Sequence, residues 1–283
     1  MVNRIRPPAQ YSAEAAKTKE RCLDMPKILP AIFFGHGNPM NAVLDNGYTK
    51  AWSRIGQTTP KPKAILSISA HWFVSETGVT VATSPRTIHD FGGFPRELFQ
   101  VQYPAPGDPK LARRVQKLLA PLEVKLDNSW GLDHGTWSVL RHVYPDADIP
   151  VVQLSIDENK PASFHFEIGK KLAPLREEGI LIIDSGNLVH NLHAYAWGRH
   201  MPDPYDWAIR FERDAKEMMV AGEYKPLIEY ENLGPEALLS IPTPDHYLPM
   251  LYVIATKQQG DIITFPIEGV DGGSISMLTV QVG

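Results

Sequence analysis

The chain has 283 residues, of which 43% are hydrophobic and 21% are charged, and this composition excludes an intrinsically disordered protein. Its 28 Lys and Arg residues stand against 32 Asp and Glu residues, so the formal net charge is −4, and neither nucleic acid nor an anionic membrane is an expected partner. The single cysteine, Cys22, excludes an internal disulfide and favours a reducing, cytoplasmic location.

The chain is expected to form one domain. Residues 1–25 are polar and predict a poorly ordered N-terminal extension, and residues 26–283 predict a single domain. No stretch reaches the roughly 18 consecutive apolar residues of a membrane helix. The first 25 residues also lack the apolar core of a secretory signal. Neither membrane insertion nor export is therefore predicted.

Short runs of β-branched and other apolar residues predict five strands: Ile28–Phe34, Ala64–Ser69, Val79–Ala82, Val151–Ile156 and Ile180–Ile183. These runs are too uniformly apolar for strands that face solvent on one side. Strands buried on both faces are typical of a parallel sheet that is covered by helices on each side. The predicted fold class is therefore α/β, with a central, largely parallel mixed sheet flanked by helices.

Amphipathic stretches between and after the strands predict five helices: Asp108–Leu119, Trp137–Tyr144, Pro161–Arg176, Asp206–Ala221 and His246–Lys257. Two further strands, Asp261–Pro266 and Ser274–Val282, are expected to extend the sheet. The proline-rich segments 85–109 and 242–249 predict ordered loops, and functional sites are often built on such loops.

Three histidines lie where predicted strands end. His36 directly follows the first strand, His71 follows the second, and His190 comes shortly after the fifth. Because the carboxyl ends of parallel strands open on one edge of a sheet, we expect these side chains to converge there. Ser185, which lies between the fifth strand and His190, is interpreted as part of the turn that positions His190.

Two loop histidines are expected to join this group. His134 precedes a predicted helix, and His246 stands at the start of another, where the helix macrodipole disfavours the imidazolium form. A cluster of neutral imidazoles predicts a site for zinc, iron, copper or nickel rather than for magnesium or calcium. A structural role, in which the ring packs or hydrogen-bonds without binding a metal, remains the alternative for each histidine.

Six short motifs carry a resemblance to a known enzyme family: Gly35–Met40, Ser69–Trp72, Thr87–Pro95, Asp133–Gly135, Ser185–Asn191 and Thr243–Pro249. Together, and in this order, they resemble the class III extradiol ring-cleavage dioxygenases, in particular the DOPA 4,5-extradiol dioxygenase branch. The resemblance spans the chain from Met25 to Gly283. It implies a nonheme metal enzyme that opens the aromatic ring of a catechol, such as DOPA, with dioxygen to give a semialdehyde.

The resemblance also implies roles for single residues. His36 and His71 match the first two metal ligands of the family, and His190 matches an acid/base histidine that in this branch is close enough to bind the metal. His134 matches a histidine that hydrogen-bonds substrate or oxygen. The wider class uses a glutamate as its third ligand, whereas His246 occupies the corresponding region here. The expected metal ligands are thus His36, His71, His190 and His246, with His134 and His190 as catalytic groups.

Neutral imidazoles leave the charge of a dication uncompensated, so the site suits zinc as well as iron. We expect Fe(II) to be required for activity and zinc to be a metal that the purified protein holds. The expected partners are a catechol and dioxygen, with Trp72, Phe91, Phe94 and Trp137 as aromatic pocket lining. The alternatives are a zinc-dependent hydrolase that uses the same histidines to activate water, and a noncatalytic binding protein resembling the Memo family. A monomer is expected.

Overall fold

The computed structural model describes residues 28–197 and 203–283 of the chain. Ten strands occur in these residues: β1 (Ala31–Gly35), β2 (Ala64–Val74), β3 (Gly78–Thr80), β4 (Lys125–Asp127), β5 (Val151–Asp157), β6 (Ile180–Gly186), β7 (Ile263–Ile267), β8 (Val270–Asp271), β9 (Ile275–Ser276) and β10 (Thr279–Val282). The predicted N-terminal extension, residues 1–25, lies outside the described residues.

Eight of these strands form one mixed sheet in the order β4-β3-β5-β2-β6-β1-β10-β7. The four central strands, β5, β2, β6 and β1, are parallel to one another. On either side of them, β3 and β10 pair in the antiparallel direction. The largely parallel, mixed sheet that the sequence predicts is therefore confirmed. Strands β8 and β9 form a separate two-stranded sheet.

Nine helices accompany the strands in the described part of the chain: α1 (Gly47–Thr58), α2 (Arg96–Phe99), α3 (Pro109–Leu119), α4 (His134–Val143), α5 (Ala162–Leu172), α6 (Asp206–Ala221), α7 (Tyr224–Ile228), α8 (Pro235–Ser240) and α9 (Leu248–Ala255). None of them combines the length and the apolarity that crossing a membrane requires.

Helices cover both faces of the sheet. Along β1, Ala31 and Phe33 pack into one hydrophobic cluster, with residues of α3, α5, α6 and α9, while Ile32 and Phe34 pack into a second cluster, with residues of α1 and α4. Successive side chains of a strand point to opposite faces, so each strand needs an apolar residue at nearly every position. This two-sided burial explains the uniformly apolar runs.

Several element bounds differ from those predicted. Strand β2 continues to Val74 and not only to Ser69, so that His71 lies inside the strand. The pairing of β2 with β5 shifts register between Ile68 and Phe73, and this irregularity surrounds His71. Helix α4 begins at His134 rather than Trp137, because the Asp133 carboxylate caps the helix by accepting from the Thr136 backbone N–H at 3.1 Å.

The other differences are local. The predicted helix Pro161–Arg176 is α5 followed by a 3-10 turn, Ala173–Arg176. The last predicted helix begins at Leu248 rather than His246, so His246 lies in the preceding loop. The last predicted strand, Ser274–Val282, is divided between β9 and β10. Helix α1 is the main element that the sequence patterns missed.

Candidate metal centre and active-site cavity

Three histidines meet at the carboxyl end of the parallel strands. His36 directly follows β1, and its backbone N–H donates to the Gly186 carbonyl at the end of β6, at 3.0 Å. One ring nitrogen from each of His36, His71 and His246 lies within 4.8 Å of the other two. The Nε2 atoms of His36 and His71 are 3.2 Å apart. The predicted convergence of strand-end histidines therefore holds for His36 and His71, and His246 completes the group.

The His36 ring has a defined tautomer. Its Nδ1 lies 2.9 Å from the Ser185 hydroxyl oxygen, and that hydroxyl donates its own hydrogen to the Gly135 carbonyl at 2.6 Å. A carbonyl can only accept, so the Ser185 oxygen must accept from a protonated Nδ1. The Nε2 atom of His36 is consequently unprotonated. Ser185 thus lies within β6 and orients His36, which corrects the interpretation of Ser185 as part of a turn that positions His190.

Asp90 orients two further histidines. One carboxylate oxygen lies 3.2 Å from Nδ1 of His71 and 2.9 Å from Nδ1 of His134, and the other oxygen accepts the His134 backbone N–H at 2.9 Å. Burial raises the pKa of Asp90, but the hydrogen bonds from His134 outweigh it and hold that pKa below its ordinary value. The carboxylate therefore hydrogen-bonds to the ring and the backbone of His134 and lies beside Nδ1 of His71.

Asp245 plays the same part for His246, because its carboxylate accepts from Nδ1 of the neighbouring imidazole. All three grouped histidines therefore have an oxygen atom beside Nδ1 and turn Nε2 away from it. Metal-binding histidines usually donate their second N–H to such an acceptor, which fixes the ring and raises its basicity. The 3.2 Å between the Nε2 atoms of His36 and His71 is close to the separation of two ligands on one tetrahedral metal ion with metal–nitrogen bonds of roughly 2.0–2.1 Å. The donor set thus fits a bound cation.

Burial keeps the rings of His36 and His71 neutral. It is the largest of the effects that hold the pKa of His36 and the pKa of His71 well below the ordinary value, and the neighbouring histidines lower both pKa values further. A cluster of imidazoles cannot hold several protons at close range. Neutral imidazole nitrogens are ligands for zinc and for iron.

His190 stands beside the three-nitrogen group rather than within it. Its ring stacks on that of His246, with centroids 3.5 Å apart and planes 6° from parallel. Its backbone N–H donates to the Ser240 carbonyl at 2.8 Å. Burial, and after it His246, lowers the pKa of His190 to about 2, although Asp245 opposes the shift. The imidazole is therefore neutral.

A cavity of about 190 Å³ opens over the histidines. His134 and His190 line it together with the three grouped rings, so all five predicted site histidines face one space. The other lining residues, none of them a lysine or arginine among those that the structure describes, are Gly37, Asn38, Pro39, Phe94, Leu192, Tyr195, Trp197 and Ile275.

The predicted aromatic lining is only partly present in the described residues. Phe94 lines the cavity, and Phe91 packs behind it, with ring centroids 5.5 Å apart. Trp137 instead belongs to a hydrophobic cluster under the sheet, and Trp72 stacks on Trp130 at 5.4 Å. The cavity wall is completed by aromatic residues from the segment after His190, which lies outside regular strands and helices and carries no periodic pattern.

Comparisons with known proteins agree with this geometry. Residues 28–264 match the family described as the catalytic LigB subunit of aromatic ring-opening dioxygenase. The chain is 53% identical over 260 residues to 4,5-DOPA dioxygenase extradiol of Escherichia coli strain K12, covering 90% of this chain and 95% of that protein. It is 37% identical over 255 residues to the protein of the same name from Beta vulgaris, covering 88% and 94% of the two chains.

A solved structure is also similar. The crystal structure of an uncharacterized protein from Escherichia coli K12 matches with a TM-score of 0.80 and 48% sequence identity, and the match covers 90% of this chain and all of that one.

Proposed function

We propose that this chain, which belongs to the LigB family of aromatic ring-opening dioxygenases and is an extradiol dioxygenase, acts on a catechol such as DOPA and gives a semialdehyde. The observation that carries the proposal is the pair of Nε2 atoms of His36 and His71, which lie 3.2 Å apart while an oxygen atom lies beside each Nδ1. We assign the metal to these two histidines and His246.

The bound metal would be Fe(II) in the active enzyme. It would supply a site where catechol and dioxygen meet and exchange electrons, so that no nicotinamide or reductase is needed. Imidazoles also suit zinc, which cannot change its oxidation state, and we expect zinc-loaded protein to bind a catechol without consuming oxygen.

His134 and His190 are assigned to proton transfer. Both rings face the cavity, and the Asp90 carboxylate lies behind His134 with one oxygen 2.9 Å from its Nδ1. A phenolic hydroxyl that enters the cavity loses its proton to one of these rings. The negative charge then left on the substrate raises the pKa of a nearby imidazole and holds the proton there. His190 stacks on His246, so this proton-transfer group lies next to one of the assigned metal ligands.

The test begins with protein that has been purified without air, stripped of metal and reloaded with Fe(II). DOPA and air should then produce oxygen uptake together with a yellow ring-cleavage product. Variants His36→Ala, His71→Ala and His246→Ala should lose bound iron, whereas His134→Gln and His190→Gln should keep the iron and lose turnover.

His142→Gln is the matched control, because this partly buried ring donates from Nε2 to the Asn41 carbonyl and contacts none of the site histidines. It should retain both iron and turnover. Wild-type iron content in His36→Ala or His71→Ala would refute the ligand assignment. An iron-loaded enzyme that consumes no oxygen with any catechol would refute the proposed reaction.

A further inference from the structure

The exposed side of the cavity carries a fixed tyrosine–carboxylate pair. Tyr195 lines the cavity, and its hydroxyl donates to the Asp271 carboxylate at 2.9 Å. Trp197, which is 58% exposed, packs its ring edge against Tyr195 with centroids 4.7 Å apart. The pair therefore lies on the side that faces solvent, where a ring substituent of a bound catechol would extend.

The backbone holds this pair in place. A Cβ atom at Gly272 would lie only 2.1 Å from the Tyr195 ring, so the ring packs directly on the glycine that follows Asp271. The Ala196 backbone N–H donates to the Gly272 carbonyl at 3.0 Å. These contacts join the segment after His190 to the β8–β9 turn, and they fix the tyrosine hydroxyl relative to the carboxylate.

The hydrogen bonds leave an acceptor on the cavity side. The only hydrogen of the Tyr195 hydroxyl goes to Asp271. Asn38 also lines the cavity, and its side-chain carbonyl oxygen accepts the Met40 backbone N–H at 2.9 Å. With its hydrogen donated to Asp271, the Tyr195 oxygen can only accept from a ligand.

The charges around the cavity favour a cation. Asp90, Asp245 and Asp271 each hydrogen-bond to a lining residue, whereas no lysine or arginine lines the cavity in the described part of the chain. Asp90 and Asp245 lie behind histidine rings, where they would offset the charge of a metal dication held by the imidazoles. Asp271 is bonded to a tyrosine instead, so its negative charge acts on the exposed side of the cavity.

We propose that Tyr195 and Asp271 select catechols that carry a protonated alkylamine and disfavour catechols that carry only a carboxylate. This inference rests on the proposed function, because it assumes that a catechol ring occupies the histidine end of the cavity. The ammonium donates to the Tyr195 oxygen and is attracted by Asp271, while a carboxylate in the same place is repelled. Dopamine and DOPA fit this description.

The test compares two ligands of equal chain length, dopamine and 3-(3,4-dihydroxyphenyl)propanoate, which differ in the charge of the terminal group. The wild-type iron-loaded enzyme should show a kcat/KM ratio of at least about tenfold in favour of dopamine, the effect of one hydrogen bond to a charged group. Asp271→Asn should reduce the ratio by about tenfold, and Tyr195→Phe should also reduce it. Asp214→Asn, which removes an exposed carboxylate of α6, should leave the ratio unchanged.

Calorimetric binding of both ligands to zinc-loaded protein gives the same ratio without turnover. Equal preference in the wild type, or an Asp271→Asn ratio equal to that of Asp214→Asn, would overturn the inference. Oxygen uptake with DOPA is measured in parallel. If no catechol caused oxygen uptake, the proposed function would be refuted. The ratio of the two ligands' affinities for zinc-loaded protein would still show whether the cavity selects the amine.

Discussion

Ser185→Ala tests whether the hydrogen bond at Nδ1 prepares His36 for a metal. The substitution removes the oxygen that accepts from His36 and donates to the Gly135 carbonyl, at a position where Ser185 is fully buried and His36 is 2% exposed. Without that acceptor, the ring proton moves to Nε2 and forms a hydrogen bond to Nε2 of His71, 3.2 Å away. A proton then occupies the space that the metal requires.

Removal of the acceptor behind a ligating histidine lowers metal affinity by about 10- to 100-fold, which corresponds to about 1.4–2.7 kcal/mol. The assay is a competition titration against a chelating dye, with zinc, or with Fe(II) in the absence of air. Ser67→Ala is the matched control, since Ser67 is a buried strand serine whose hydroxyl bonds to the Thr136 hydroxyl at 2.9 Å and to no histidine.

The control should lose stability but keep wild-type metal affinity. If Ser185→Ala binds zinc within about threefold of Ser67→Ala, which is well below the effect expected for a lost acceptor, the tautomer argument fails. Thermal unfolding of both variants without metal separates a weaker fold from a weaker site.

Three further predictions concern the fold. Gly35→Ala should lower the free energy of unfolding, measured in urea, by about 1–3 kcal/mol, because the new Cβ would lie 2.7 Å from backbone atoms. Gly92→Ala is the control and should be neutral, since a Cβ there would meet nothing within 4 Å. Equal effects of the two substitutions would contradict this prediction. Burial lowers the pKa of His165 to about 4. Since the unfolded state then binds more protons, the free energy of unfolding should decrease as the pH falls through about 6.5 to 4, by up to about 3 kcal/mol. His165→Gln should remove this part of the pH dependence, and an unchanged slope would refute it. Arg176→Met should lower the free energy of unfolding by about 3–5 kcal/mol, because this fully buried guanidinium donates to three backbone carbonyls and a carboxylate. Arg210→Met, at an exposed ion pair, should lower it by less than about 1 kcal/mol in the same assay.

The central strands and the longest helix could be predicted from local patterns. Asp206–Ala221 has the predicted bounds, because its apolar residues repeat at helical spacing up to Gly222, which ends the helix in a left-handed conformation. Helix α1 was missed since Gly47 and Gly56 lower its helix propensity. The Asn46 and Thr49 side chains nevertheless form a capping box, a signal that was present in the sequence.

The histidines of the site could be predicted, but most of their partners could not. Strand ends single out His36, His71 and His190, predicted helix starts single out His134 and His246, and the resemblance to a family adds their expected roles. Ser185 and Asp90 act on rings that are far away in sequence, and a hydrogen bond between distant side chains leaves no periodic or spaced pattern. Their function depends on the pairing of β1, β2 and β6 and on the course of one loop. Tyr195 was missed for the same reason.

The three nitrogens to which we assign the metal belong to the beginning, the first quarter and the last part of the described chain. An ion held between His36, His71 and His246 would therefore act as a covalent staple does, closing two long loops at a single point. Loading with metal should consequently protect segments remote from the cavity against proteases. A fragment that ends before residue 246 could keep much of the sheet, yet it would lack one of the three nitrogens needed to retain the ion.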